Sequence, residues 1–123
     1  MKWLTIPQIK RRSKTAKGAL KVSHEHWCQL YDATAKELRA EYKRTDGNFT
    51  LDSHCGLCRY HSNKNMANKK CYLCVFRLFC PSPVWANAYR ALLRWYNKTD
   101  GDFHRWKRAC KAVRDKLKEL MEK

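Results

Sequence analysis

Two Cys-x2-Cys pairs, Cys55/Cys58 and Cys71/Cys74, stand twelve residues apart near the middle of a 123-residue chain, with Cys80 shortly after. Thiolates are soft ligands, and a Cys-x2-Cys turn presents two of them to one side of a single ion. Two such turns can therefore close a tetrahedral Zn²⁺ site. From His54 to Cys80 there is no Asp or Glu, whereas Arg59, Lys64, Lys69, Lys70 and Arg77 are cationic. Those cations favour thiolate over thiol and offset the double negative charge of a Zn(Cys)4 centre. The spacing thus predicts one structural Zn²⁺ on Cys55, Cys58, Cys71 and Cys74, with Cys80, His61 or His54 as substitutes for one ligand. An iron–sulfur cluster also uses four cysteines and stays open as an alternative. Disulfides do not suit a chain that starts without a signal peptide and is expected in a reducing cytosol. A thioredoxin-like role for CGLC would need βαβ flanks, which TDGNFTLDSH and HSNKN do not offer.

The second chemical feature is charge. The formal net charge is +16, which points to a phosphate polymer, an anionic membrane surface or an acidic protein as partner. It is unevenly spread: residues 1–21 carry +7 with no acid, and residues 22–53 carry −2. Candidate phosphate contacts are Lys10, Arg11, Arg12, Lys14 and Lys17 at the N-terminus, and Arg59, Lys69, Lys70 and Arg77 beside the metal. Lys107, Lys111, Arg114 and Lys118 join them on the last helix, at spacings of four, three and four. Tyr60, Tyr72, Phe76 and Phe79 are the aromatics near metal-segment cations that could stack on a base. No apolar run reaches a membrane span, so the protein is expected to be soluble and no membrane is expected as a partner.

The elements that position these residues are helical. The length suits one domain: a basic N-terminal arm over 1–21 and a zinc-binding helical domain over 22–123. In the arm, Trp3, Leu4, Ile6 and Ile9 can pin the start to the body while Pro7 blocks a helix. A solvated, mobile terminus and an arm ordered on a nucleic-acid backbone both fit its composition. From Ser23, read as N-cap, to about Lys43, the residues Trp27, Leu30, Tyr31, Thr34, Leu38 and Tyr42 repeat as one helical stripe. His24 and His26, two apart, fall on different faces and are read as polar helix-start residues; Cys28 is read as a buried free thiol. Asp46-Gly47 marks a turn, and Phe49 and Leu51 alternate as in a short strand.

After Ser82-Pro83, an N-cap followed by proline at the first helical position, Trp85, Ala88, Tyr89, Leu92, Trp95 and Tyr96 keep helical spacing. NKTDG ends that helix and Asp102 caps the next, whose stripe is Phe103, Trp106, Cys110, Val113, Leu117 and Leu120. The two should form an antiparallel hairpin with Cys110 in the core. The fold class expected is mainly α: a small zinc-stapled domain of three helices, a central Cys-rich metal loop and a basic arm.

KVSHEHW (Lys21 to Trp27), a helix, CGLCRY, a second Cys-x2-Cys, a further Cys, and Ser82, Pro83 and Trp85 together resemble a group of short cysteine-rich proteins encoded by bacteriophages. The likeness spans roughly residues 21–96; the basic arm and the long last helix depart from the pattern. The resemblance implies a viral origin and a host bacterial cytoplasm, and it implies no activity.

Among enzymes, an HNH-type nuclease is the reading to weigh, because some carry two Cys-x2-Cys pairs. Its ββα unit and divalent ion need two strands, a helix and hard ligands. The twelve residues between Cys58 and Cys71 offer His61, Asn63 and Asn65 but no carboxylate. No GxSxG or phosphate-cradling Gly-rich loop occurs elsewhere. The expectation is a non-enzymatic zinc protein that binds nucleic acid, DNA or RNA, through basic surfaces. The alternative is a phage effector docking on an acidic host protein such as a nuclease, polymerase or defence factor.

Overall fold

The structure, a computed structural model, describes residues 2–46, 83–97 and 102–122, apart from the side chains at 83, 85 and 86. These are almost wholly helical: α1 (Ile6–Arg12), α2 (Ala16–Asp32), α3 (Ala35–Thr45), α4 (Pro83–Asn97) and α5 (Phe103–Met121). Among the described residues there is no strand. The strand expected around Phe49 and Leu51, the Ser82 cap and the Trp85 side chain lie outside them.

The N-terminal segment differs from the expected arm. Thr5 caps α1 through a capping box: its hydroxyl accepts the Gln8 N–H at 3.2 Å, and Gln8 Oε1 accepts the Thr5 N–H at 2.9 Å. Pro7 sits in the first turn, where a missing N–H costs nothing, so it starts a helix instead of blocking one. Ile9 is buried, and α1 turns back along α2. Before it, Gln29 on α2 accepts the Leu4 N–H at 3.0 Å and donates to the Lys2 carbonyl at 2.7 Å. The proposed boundary at residue 21 falls inside α2.

Ser23 likewise is not a cap. Thr15 is, its hydroxyl accepting the Gly18 N–H at 3.0 Å, and Ser23 lies in mid-helix among the buried residues Ala19, Val22, His26, Trp27 and Leu30. The single helix expected from Ser23 to Lys43 is two. Thr34, read as a stripe residue, caps α3 in a second capping box with Glu37, and a side chain that satisfies its own backbone this way ends one helix and begins another. α3 stops at Asp46, which adopts the left-handed conformation (φ 54°) at the turn the sequence predicted.

The C-terminal hairpin has the expected form. Asp102 caps α5 by accepting the Arg105 N–H at 3.2 Å. Trp95 near the end of α4 meets Phe103 at the start of α5, ring centroids 5.1 Å apart. Ala88, Leu92 and Trp95 from α4 and Trp106, Cys110, Val113 and Leu117 from α5 are buried together with Trp27, Leu30 and Leu38. α5 is the central element, packing on α2 and on α4. α3 is held to α4 by a Tyr42–Tyr96 stack at 3.7 Å and by Arg39 over the Trp95 ring at 4.5 Å.

The α1–α2 corner is tight. Ser13 is fully buried and donates from Oγ to the Ile9 carbonyl at 2.5 Å. A methyl group on Gly18 would overlap the Arg12 carbonyl oxygen and stand 3.0 Å from Thr15 Oγ1. Alanine gains about 1 kcal/mol of helix propensity over glycine, but displacing a main-chain carbonyl costs about 1–3 kcal/mol. Gly18→Ala is therefore expected to lower the urea midpoint; a raised midpoint would show that the corner yields without cost.

Candidate nucleic-acid interface

The proposed ligands Cys55, Cys58, Cys71, Cys74, Cys80, His54 and His61 lie outside the described residues, as do Arg59, Lys69, Lys70 and Arg77 and the aromatics Tyr60, Tyr72, Phe76 and Phe79. Among the described residues no group of three or more His, Cys, Asp or Glu gathers as a metal would require. Cys28 and Cys110 are free thiols. Cys110 is fully buried and its Sγ donates to the Trp27 carbonyl at 3.6 Å, while burial pushes its thiol pKa far up. It is a core residue, as the stripe predicted.

Of the candidate cations among the described residues, some lie on the packed pair α2 and α5 and the others on α1 and the α1–α2 turn. The two helices run antiparallel: Lys107 reaches the end of α2 at Tyr31, Cys110 meets Trp27, and Arg114 and Lys118 act on His24. The α5 stripe Lys107, Lys111, Arg114 and Lys118 thus lies beside an α2 stripe at the same spacing: Lys17, Lys21, His24, Cys28 and Tyr31. Lys14 continues it in the α1–α2 turn, and Lys10 and Arg11 end α1, where cations also suit the helix dipole. Lys10, Arg11, Lys14, Lys17, Lys21, Lys111 and Lys118 are all exposed. The supposed arm is therefore a basic corner at the N-terminal end of α2.

The thirteen candidate cations of the sequence are not equivalent. Lys107 is turned inward: its ammonium donates to the Tyr31 carbonyl and, at 2.6 Å, to the Ala33 carbonyl, with the Tyr31 and Phe103 rings each 5.3 Å away. Burial lowers its pKa. It closes the C-terminal end of α2, where helix carbonyls lack partners. Arg12 is held by Glu25 at 2.5 Å, a hydrogen bond that raises the arginine pKa and lowers that of the carboxyl. Lys111 pairs with Asp115 at 2.6 Å. Arg114 lies 4.4 Å over the Tyr31 ring and 3.3 Å from Asp115. Exposed pairs of this sort contribute roughly 0–1 kcal/mol, so a phosphate can replace the carboxylate at little cost.

The sequence reading did not single out Lys21 as a candidate, and it took His24 as a polar helix-start residue although it lies in mid-helix. The signal was present in their four-and-three spacing from Lys17 to Tyr31, but placing the helix start at Ser23 cut that stripe in two. His24 is half-buried, and burial lowers its pKa, helped by Arg114 and then Lys118, while Asp115 and Glu25 oppose them. His26 is buried on another face, edge-on to Trp27 at 6.5 Å, so the two histidines diverge as i and i+2 must.

The division between inward and outward cations has a direct test. Lys107→Ala removes the donor from two carbonyls at the end of α2 and is expected to cost about 1–3 kcal/mol. Lys118→Ala, on the exposed face of the same helix, is expected to stay within about 0.5 kcal/mol of the parent. Urea denaturation of both variants checks this; equal effects would show that Lys107 is not a cap. No family model matches the chain, and the searches of curated proteins and of solved structures found none similar to it, so the arrangement of its own residues is what bears on function.

Proposed function

We propose that this chain is a non-enzymatic, zinc-stapled helical protein that binds nucleic acid mainly through the phosphate backbone. The observation that carries the reading is the α5 stripe of Lys111, Arg114 and Lys118 on a helix packed against α2, together with the exposed Lys10, Arg11, Lys14, Lys17 and Lys21 of α1, the α1–α2 turn and the start of α2. Cations fixed on two packed helices lose little freedom when phosphates bind, unlike those of a mobile arm. Lys10, Arg11, Lys14 and Lys17 act at the corner and Lys111, Arg114 and Lys118 along α5. Arg59, Lys69, Lys70 and Arg77 add to them beside the metal. Arg12 and Lys107 support the frame.

The zinc part rests on the spacing of Cys55, Cys58, Cys71 and Cys74, and its purpose is structural: it closes the stretch that joins α3 to α4. The phage resemblance sets this in a bacterial host cell. No helix among the described residues is long and apolar enough to cross a membrane.

If six to ten phosphates are neutralised, affinity for a short labelled DNA or RNA should fall about a thousandfold or more between roughly 50 and 200 mM salt. Lys118→Ala should lower the slope of log K against log salt by about one unit, and Lys107→Ala should not. A shallow slope overturns the reading. Partners that a lysate pull-down retains after nuclease treatment would instead favour an acidic host protein. The zinc is tested separately by metal analysis, which should give about one ion per chain. Cys55→Ala or Cys74→Ala should lose that ion together with the helical signal, whereas Cys110→Ala should keep it.

A further inference from the structure

Ala88, Ala91, Leu92 and Trp95 are the buried positions of α4, and they fix which side of that helix faces out. On the outer side Asn87, Arg90, Arg94 and Asn97 follow one another at spacings of three, four and three, and all of them are exposed. Unlike α2, α3 and α5, α4 contains no Asp or Glu. Elsewhere the cations are drawn onto partners: Arg12, Arg44, Lys111 and Arg114 each meet a carboxylate, and Arg39 lies over the Trp95 ring. Among the described residues no ion pair, hydrogen bond or ring contact engages Arg90 or Arg94. The helix that carries them is packed on α5 and held to α3 by the Tyr42–Tyr96 stack.

We infer that this face of α4 enters the major groove of duplex DNA and reads base edges there. This rests on the nucleic-acid reading above and adds sequence preference to it. The exposed candidate phosphate contacts are mainly lysines, which act as point charges on a phosphate. The exposed polar groups of α4 are instead all planar and two-pointed. An arginine fork donates to O6 and N7 of guanine, and an asparagine amide donates to N7 and accepts from the amino group of adenine.

The dimensions agree. The groove is about 12 Å wide and admits an α-helix. Asn87 to Asn97 covers about 15 Å along the helix axis, or about four base pairs of duplex. An acid-free face also brings no carboxylate against the phosphates that line the groove. An RNA duplex does not admit the helix, because its major groove is deep and narrow.

The test is selection by the full zinc-loaded chain from a randomised DNA duplex library. Anisotropy then follows on the enriched duplex, a shuffled duplex and an RNA duplex of the enriched sequence. A motif of about four base pairs that includes guanine should emerge. Arg90→Lys and Arg94→Lys keep the charge and lose the fork. Each should therefore lower the ratio of affinities for enriched over shuffled duplex by roughly fivefold to a hundredfold. Both positions are exposed, so the helical signal and thermal midpoint should match the parent's. Lys118→Ala should weaken both DNA duplexes alike and leave the ratio as it was. If binding with steep salt dependence persists but no motif is enriched, if both lysine variants keep the parent's ratio, or if only RNA is bound, base reading by α4 is refuted and the nucleic-acid reading stands. If the parent binds neither DNA nor RNA, both fall together.

Discussion

The contact between α2 and α5 is what the other described elements lean on. Trp106 is fully buried and lies beside Trp27 at a ring separation of 6.2 Å, and the Cys110 thiol donates to the carbonyl of that same tryptophan. Burying side chains of this size is worth about 1.5–3 kcal/mol each, which sets the scale on which a small domain stays folded. One end of the contact is closed by Lys107 on the last carbonyls of α2. α4 also packs on α5, α3 is pinned to α4, and α1 is clipped along α2. Remove α5 and these helices have little left in common.

That arrangement also decides where the charge can go. A chain with net charge +16 repels itself, and a helix carrying seven Lys or Arg, as α5 does, must bring some of them close to its neighbours. Lys107 is absorbed by placing it where main-chain oxygens need a donor. Arg12 is absorbed by Glu25, and Arg44 by the buried Glu41 in a two-point pair at 2.5 and 2.9 Å. Arg39 and Arg114 lie over aromatic rings. Lys17 and Lys21 stay exposed on α2, and Lys111 and Lys118 on α5, so the frame and part of the candidate interface are made of the same two helices.

Much of this was legible in the chain. The stripes of α4 and α5, the Asp102 cap and the burial of Cys110 follow from three-and-four spacing, which packing reinforced. The N-terminal half was harder to read, because two kinds of signal competed there. Lys and Arg in KRRSKTAK have good helix propensity, but their charge suggested a solvated arm. The motifs TIPQ and TAKE are capping boxes, yet Pro7 looked like a helix blocker and Thr34 fell on an apolar repeat. A cap is a local hydrogen-bond pattern and outranks periodicity at a helix end. The α2–α5 contact itself could not be foreseen, since it depends on the two helices lying antiparallel, a fact of tertiary packing. The inward turn of Lys107 belongs to the same class.

The bond from Cys110 to Trp27 joins residues 83 positions apart. During synthesis α1, α2 and α3 leave the ribosome long before their covering helix does. At a few to some tens of residues per second, the oily side of α2 stands bare for several seconds. Over that interval Trp27 and Leu30 lack the α5 residues they pack against in the folded chain. Among the described helices α5 follows all of its partners along the chain, so it is the one that commits them to the folded form.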